Sequence, residues 1–452
     1  MPTIAAHTLG CKVNHYETEA LREAFVSHGA VSVPEDDPAD VYIINTCTVT
    51  NIADRKSRQY IRRMKKVNPD ALIVVTGCYA QTSPDEVASM PEVDIVVGNG
   101  QKSKICGLVL EKLAERPGTG SEAGSAQNYN RGNTDVYVQP RNELTDYEDM
   151  GLVSSSEPGM TRAYIKIQEG CDRFCAYCLI PYARGPVRSR PPEEILREAA
   201  MLLDSGVREI VLTGINTALY GTEEGFGCGL ADLLALLDEL EGDFRVRLSS
   251  LEPTVVDKDN VEKIIRFRRL CHHLHLSVQN GSDKVLSSMN RHYTRDEYLE
   301  IVRAIREYDP LYGITTDIIV GFPGETEEDF ADTLDIVRRA GFGKVHVFRY
   351  SPRKGTVGAK LPDAVPEQTK KDRSDILEKL SGEVADDFIR RNMDAVHTVL
   401  IEEHRDNYAT GYTDNYIRVY IEDENTQLLP GTFLNVKLTD IYQDGCLAEL
   451  LC

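Results

Sequence analysis

Six times between Tyr164 and Tyr350, a short run rich in β-branched or aromatic residues gives way to a stretch with helical spacing. The runs are RAYIKIQ, REIVLTG, FRVRLSS, HHLHLS, GITTDIIV and KVHVFRY; PEEILREAAMLLDSG, LADLLALLDELEG and EDFADTLDIVRRAG are among the stretches between them. Strands in this rhythm pair in parallel, because a helix provides the crossover that a parallel pair needs. Six units predict a barrel or partial barrel, and such folds place their chemistry at the C-terminal ends of the strands.

The same rhythm occupies the region up to about Gly118. TIAAHTL, DVYIIN, ALIVVTG and VDIVVGN read as strands, and HYETEALREAFVSHG and NIADRKSRQYIRRMKKV as helices, which predicts an open parallel sheet. The segment RPGTGSEAGSAQNYNRGNTD has no apolar period and reads as an exposed linker. After a helical stretch, DRSDILEKLSGEVADDFIRRNMD, the short strands HTVLIEE, NYATGYT, YIRVYIE and TFLNVKLTD predict a small antiparallel barrel or sandwich. The fold class is therefore α/β with a small β domain at the end.

Nothing near the start combines a basic segment with an apolar core, and the longest apolar runs are far too short to span a bilayer. A cytoplasmic protein without membrane contact is expected. In that compartment clustered cysteines point to metal binding or catalysis rather than disulfides. Of the 11 cysteines, Cys106, Cys228, Cys271, Cys446 and Cys452 have no evident sequence partners and read as structural.

Cys171, Cys175 and Cys178 form C-x3-C-x2-C directly after the first barrel strand, at the expected mouth. Zinc would need a fourth ligand, and no other Cys or His lies nearby in sequence. Thiolates also suit iron–sulfur clusters, and three of them on a four-iron cluster leave one iron open. A second set, Cys11, Cys47 and Cys78, comes at or just after the ends of three strands, with spacings of 36 and 31 residues. In an open parallel sheet these positions share the crevice beyond the strands' carboxyl ends. A shared metal site and three unrelated buried cysteines both fit that pattern.

Weaker signals surround these sets. Gly214 and Asn216 in LTGIN, and Ser277 in HLSVQNGS, put small or polar residues at strand ends, where ligand contact and turn chemistry are equally served. GFPGETEEDF lacks the lysine of a phosphate-binding loop. Arg55, Arg58, Arg62 and Lys65 recur at helical spacing after Cys47, either as a solvated face or as a stripe tracking a phosphate backbone. Arg184, Arg188 and Arg190 extend the basic character behind the cysteine triplet. The net charge of −21 excludes a uniformly basic coat but not a local one.

The triplet, with Tyr177 before its last cysteine, resembles the signature of the radical S-adenosylmethionine enzymes. The N-terminal triad narrows the likeness to the methylthiotransferases, over nearly the whole chain. TLGCKVNHYET, NTCTVTNIADRKSRQ and IQEGCDRFCAYCLIPYARGPVRSR are similar to the branch acting on N6-threonylcarbamoyladenosine in tRNA. The isopentenyladenosine branch tends to carry Gln-Met where Lys12-Val13 stand, and the branch acting on a ribosomal protein differs around the triplet.

The resemblance implies residues 1–118 as a cluster domain, 119–158 as a linker, 159–380 as a partial (βα)6 radical barrel, and 381–452 as a connecting helix with a TRAM domain. It implies two 4Fe-4S clusters, on Cys11/Cys47/Cys78 and Cys171/Cys175/Cys178, and S-adenosyl-L-methionine with Tyr177 near its adenine; the strand-end residues Gly214, Asn216 and Ser277 are the other expected cofactor contacts. The partners it implies are the tRNA anticodon loop, an electron donor such as flavodoxin or ferredoxin, and a sulfur donor. The family's C-terminal domain is regarded as RNA-binding; here Arg405, Arg418 and Lys437 stand against ten acidic residues from Glu402 to Glu449. An iron–sulfur electron carrier would not need a six-unit barrel. A zinc-stabilised RNA-binding protein is the other contrasting class. A cobalamin-dependent radical methylase would carry D-x-H-x-x-G, which the chain lacks.

Overall fold

The structure, a computed structural model, describes residues 1–115, 134–153, 160–253, 258–423 and 427–451. Half of the expected linker (119–133 and 154–158) and Cys452 lie outside the described residues. The chain divides into two compact units. The first comprises Met1–Val153 with Glu169–Asp172 and Cys178–Arg188; the second holds the remainder, Arg173–Tyr177 included.

In the first unit the strands β1 (Thr3–Thr8), β2 (Val31–Ser32), β3 (Val41–Thr46), β4 (Leu72–Gly77), β5 (Ile95–Val97) and β6 (Asp135–Tyr137) form one parallel sheet in the order β2-β1-β3-β4-β5-β6. The edge strand β6 lies inside the segment read as a linker; three residues with an exposed Val136 and Tyr137 carry too little pattern to be seen in sequence. Both faces of the sheet are covered, so its strands are apolar throughout rather than alternating. Val41 and Ile43 pack with Leu21 and Phe25 of α1 (Lys12–Ser27) and Val109 of α5 (Ile105–Ala114). Tyr42 and Ile44 pack on the other face with Ile61 and Met64 of α2 (Asn51–Val67), Tyr79 of α3 (Cys78–Thr82) and Val87 of α4 (Pro84–Ala88). The unit also contains α6 (Ile180–Arg184).

The six strand runs of the second region all form: β7 (Arg162–Lys166), β10 (Glu209–Thr213), β11 (Arg245–Leu248), β13 (His273–Leu276), β14 (Gly313–Val320) and β15 (Lys344–Arg349). Two short strands, β8 (Gln168–Glu169) and β9 (Arg188–Ser189), flank the cysteine triplet in the chain, and β12 (Ser250–Leu251) continues β11 after one residue. Parallel pairing runs β7-β10-β11 and then β12-β13-β14-β15, in chain order. Helices α7 (Pro192–Asp204), α8 (Leu230–Asp238), α9 (Lys258–Ile264), α10 (Asp283–Ser288), α11 (Arg295–Tyr308) and α12 (Glu327–Ala340) fill the crossovers, and α13 (Glu367–Asn392) follows. Ile165, Leu212, Leu274 and Ile314 join Ile195, Leu233, Ile305 and Ile336 of these helices in one apolar layer. GFPGETEEDF is a helix start: Thr326 caps α12, with Asp329 closing the capping box.

The C-terminal strands β16 (Val396–Arg405), β17 (Tyr408–Thr413), β18 (Arg418–Glu422), β19 (Phe433–Tyr442) and β20 (Gly445–Leu450) form a closed barrel. It is not wholly antiparallel, since β18 and β20 pair in parallel to close it. Closure removes the exposed edges that a small sheet would present. This barrel is anchored to the N-terminal starts of strands β7, β10 and β11. Glu209 is buried among Arg162 (2.7 Å), Arg245 (2.6 Å) and Arg247 (3.0 Å). Arg245 and Arg247 donate onward to the carbonyls of Tyr412 (2.9 Å) and Asp414 (3.0 Å). The three guanidiniums override the burial that would raise the Glu209 carboxyl, and hold it well below the usual range.

Candidate metal centres and cofactor site

In the first unit, the order β2-β1-β3-β4-β5 is that of a flavodoxin-like sheet, whose direction of winding reverses between β1 and β3. Ligands bind at that reversal, beyond the carboxyl ends of the strands. Cys11 follows β1 and is the N-cap of α1; Cys47 follows β3; Cys78 follows β4 and opens α3. Two glycines permit the approach. A Cβ on Gly10 (φ 119°) would stand 2.8 Å from Cys47 Cβ, and one on Gly77 (φ 93°) would stand 2.4 Å from the Thr46 carbonyl. Asn14 ties the same loops together, donating to the carbonyls of Leu9 (2.8 Å) and Thr46 (3.0 Å).

Burial pushes the Cys47 thiol up to about 12, and the charges of Cys78 and Cys11 push in the same direction. Burial and the neighbouring sulfurs disfavour a bare Cys47 thiolate, and a positive centre beside it would offset that. Among the described residues, no group of three or more His, Cys, Asp and Glu is drawn together tightly enough to hold a metal ion. The donor set fits a cluster by its chemistry: three thiols at one crevice, with a guanidinium directed at one of them.

That guanidinium is Arg184, from α6. Its Nε–H donates to Cys78 Sγ at 3.4 Å, Nη2 donates to Asn14 Oδ1 at 2.6 Å, and Nη1 donates to Glu169 at 2.7 Å. It also pairs with Glu17, which in turn holds Lys102. Burial opposes its charge, but Glu17, Cys78 and Glu169 together hold it well above its ordinary range. Asn99 donates to the Ala183 carbonyl (2.8 Å) and lies 3.9 Å from Cys78 Sγ. Sequence reasoning missed this network. Its members come from five separate segments, and nothing in a sequence marks an arginine as buried.

The basic residues after the triplet are therefore not a phosphate-tracking stripe. Arg184 is fully buried. Arg188 is nearly so and is spent on the carbonyls of Leu144 (2.6 Å) and Arg184 (2.9 Å); Arg190 is 1% exposed and pairs with Glu198. The α2 stripe divides. Arg58 binds Tyr79 Oη (2.7 Å) and Glu86 (2.9 Å), and Lys65 binds the Ala71 carbonyl (2.7 Å), whereas Arg55 and Arg62 are exposed.

Within the first unit, Cys171 N–H donates to the Gly185 carbonyl (3.0 Å), and Cys178 Sγ accepts from Ile180 N–H (3.4 Å). In the second unit the middle of the cysteine loop is pinned to the end of α10. Ala176 N–H reaches the Met289 carbonyl (2.8 Å), and Asn290 Nδ2 reaches the carbonyls of Arg173 (3.1 Å) and Phe174 (3.2 Å). Arg291 donates to Cys175 Sγ at 3.4 Å and pairs with Glu252 at 3.3 Å. Tyr177 is half-buried against Ala176, Val285, Met289, Phe322 and Tyr350.

The other expected cofactor contacts lie at strand ends of the second unit. Asn216 is buried; its N–H reaches Gln168 Oε1 (3.0 Å) and its Nδ2 reaches Glu252 (2.9 Å). Asn216 Oδ1 is buried without a hydrogen-bond partner among the described residues, an acceptor suited to a ligand's donor. Gly214 makes room for Gln168, whose Oε1 a Cβ there would meet at 2.9 Å. Ser277 Oγ is already engaged with Asp317 (2.9 Å) and His275 (3.1 Å). Arg291, absent from the expected set, donates to the Ser277 carbonyl (3.0 Å) and so joins that strand end to the cysteine loop. Of the cysteines read as structural, Cys106, Cys271 and Cys446 are buried; burial pushes the Cys271 thiol up to about 11.

Six parallel β–α units with three cysteines after the first strand are the arrangement that the resemblance to radical S-adenosylmethionine enzymes implies. The model of the radical SAM superfamily matches residues 165–337, and that of the uncharacterized protein family UPF0004 matches residues 3–98. The chain is 41% identical over 450 residues to the threonylcarbamoyladenosine tRNA methylthiotransferase MtaB of Bacillus subtilis, covering 97% of this chain and 94% of that one. It is 39% identical to its namesake from Aquifex aeolicus, over 92% and 96%. A tRNA-2-methylthio-N(6)-dimethylallyladenosine synthase of Carboxydothermus hydrogenoformans is 35% identical over 96% of both chains. Among solved structures, the radical S-adenosylmethionine methyltransferase TsrM of Kitasatospora setae, with cobalamin and a [4Fe-4S] cluster, superposes with a TM-score of 0.57. At 17% identity, over 79% of this chain and 77% of that one, it shares the fold. The chain belongs to the radical S-adenosylmethionine methylthiotransferases. It is a transferase, with 4Fe-4S clusters and S-adenosylmethionine as cofactors.

Proposed function

We propose that the chain transfers a methylthio group to C2 of N6-threonylcarbamoyladenosine at position 37 of tRNA, in the anticodon loop. The observation that carries this reading is its near-full-length similarity to proteins named for that activity, at 41% and 39% identity. Lys12-Val13, where the dimethylallyladenosine branch tends to carry Gln-Met, supports the same branch. A base in the anticodon loop is accessible because single-stranded bases can be splayed out of the stack. An electron donor such as flavodoxin or ferredoxin and a sulfur donor complete the reaction, and a cytoplasmic location suits them. Among the described residues no helix is long and apolar enough to cross a membrane.

When bound, the clusters and S-adenosylmethionine supply the one-electron chemistry that activates an adenine C–H, together with the sulfur and methyl groups. The protein's part is placement. Cys171, Cys175 and Cys178 would hold one cluster, with Asn290 and Arg291 fixing Arg173 and Cys175 within the second unit. Cys11, Cys47 and Cys78 would hold the other, at the sheet's winding reversal. Asn216 would accept a hydrogen bond from S-adenosylmethionine, with Tyr177, Gly214 and Ser277 completing its surroundings. Mass spectrometry of tRNA nucleosides from cells lacking and then regaining the protein tests the reading. Loss and return of 2-methylthio-N6-threonylcarbamoyladenosine is expected. An unchanged level overturns it, and loss of the isopentenyladenosine derivative instead moves the chain to the other branch.

A further inference from the structure

Arg184 is six residues beyond Cys178, on a five-residue helix within the first unit. At one end of this segment Ile180 N–H is 3.4 Å from Cys178 Sγ; at the other, Arg184 Nε is 3.4 Å from Cys78 Sγ. One short stretch thus donates a hydrogen bond to a sulfur of each cysteine set. Its guanidinium is fully buried and directed by three partners, Glu17, Glu169 and Asn14, so it cannot turn away from Cys78. Lys102, buried on Glu17, brings the set to two cations and two carboxylates.

We propose that Arg184 is a positioning residue for the N-terminal cluster: its fixed Nε–H holds the Cys78 thiolate and raises the cluster's reduction potential. This rests on Cys11, Cys47 and Cys78 holding that cluster. An N–H donated to a ligand sulfur, and a positive charge beside it, stabilise the more negative, reduced form of an iron–sulfur cluster.

The test uses full-length protein with Cys171, Cys175 and Cys178 all replaced by Ala, which leaves one cluster to read. After anaerobic reconstitution, iron is counted and the potential is titrated by electron paramagnetic resonance. Because Arg184→Met alone leaves a buried carboxylate uncompensated, Arg184→Met/Glu169→Gln is compared with Glu169→Gln. The expected result is a more negative potential in the double variant, or loss of its iron while its circular dichroism remains native. Equal potentials at equal iron content overturn the proposal. Should the double variant not fold, Arg184→Lys decides. It keeps charge but lacks the directed fork; a potential equal to that of the parent overturns the proposal, and a negative shift supports it. A parent that takes up no iron overturns the assignment of Cys11, Cys47 and Cys78 instead.

Discussion

Cys171, Cys175 and Cys178 occupy one loop of eight residues, whereas Cys11, Cys47 and Cys78 follow the ends of three strands of one sheet. The proposed ligand count is the same, but its origin is not. A loop carries its spacing in the sequence. A crevice set exists only after β1, β3 and β4 have paired in register, with Thr8 against Asn45 and Thr46 against Gly77. The first site should tolerate distortion elsewhere in the fold; the second should fail with its sheet. The largest effect expected separates the two. Replacing the loop cysteines by Ala should lower iron from about eight to about four per chain and abolish 5′-deoxyadenosine formation. Replacing Cys11, Cys47 and Cys78 should remove as much iron yet retain that cleavage while methylthiolation is lost. Iron and sulfide counts with a product assay distinguish the cases, and zinc at either site breaks the comparison.

A backbone change sharpens it next. Gly77→Ala puts a Cβ against the Thr46 carbonyl at a positive φ, a conformation that costs about 1–3 kcal/mol in a side-chain-bearing residue. The expected outcome is loss of N-terminal iron with the loop cluster retained, read from iron content and 5′-deoxyadenosine yield. Equal loss at both sites would mean that the sheet does not set the first site apart.

The difference also explains what the sequence made legible. The strand runs of the barrel and sheet were visible because parallel strands covered on both faces are short apolar runs between amphipathic helices. Val41–Thr46 and Leu72–Gly77 are buried at every residue. The three-residue β6 and the closing strand β20 were not, since a short or half-exposed strand carries little periodic signal. At the sites, cysteine is rare enough to announce itself. Arginine is not: Arg184 and Arg190 looked like Arg62, and only burial separates them. The pairing of Glu17 with Arg184 spans 167 residues, a separation at which no local pattern operates.

The two sites resemble each other in one respect that invites a smaller perturbation. Arg291 stands 3.4 Å from Cys175 Sγ as Arg184 stands 3.4 Å from Cys78 Sγ, each paired with a carboxylate. Arg291→Met should leave about four irons on the loop but weaken cluster retention or turnover by about tenfold, the scale of lost outer hydrogen bonds at metal sites. Single-turnover formation of 5′-deoxyadenosine, alongside iron retention against a chelator, measures it. A value matching wild type would confine the role of arginine to the sheet site.

The smallest effect concerns the surface. Arg55 and Arg62 are exposed on α2, the helix that begins just after Cys47, while Arg58 on the same helix is committed to Tyr79 and Glu86. If tRNA is gripped beside the sheet site, each phosphate contact contributes about −0.9 to the slope of log affinity against log salt. Arg55→Glu and Arg62→Glu should each weaken binding severalfold at physiological salt and flatten that slope by about one. Arg58→Gln should do less to the slope, because its charge is already answered within the protein, and more to thermal stability. The closed C-terminal barrel provides the contrast. There Arg418 is engaged by Glu403 (3.3 Å) and Asp444 (3.2 Å), and Arg405 by Glu403 (3.1 Å). Arg405→Glu should change the slope little. A larger change there than at Arg62 would move the RNA contact from the sheet to the barrel.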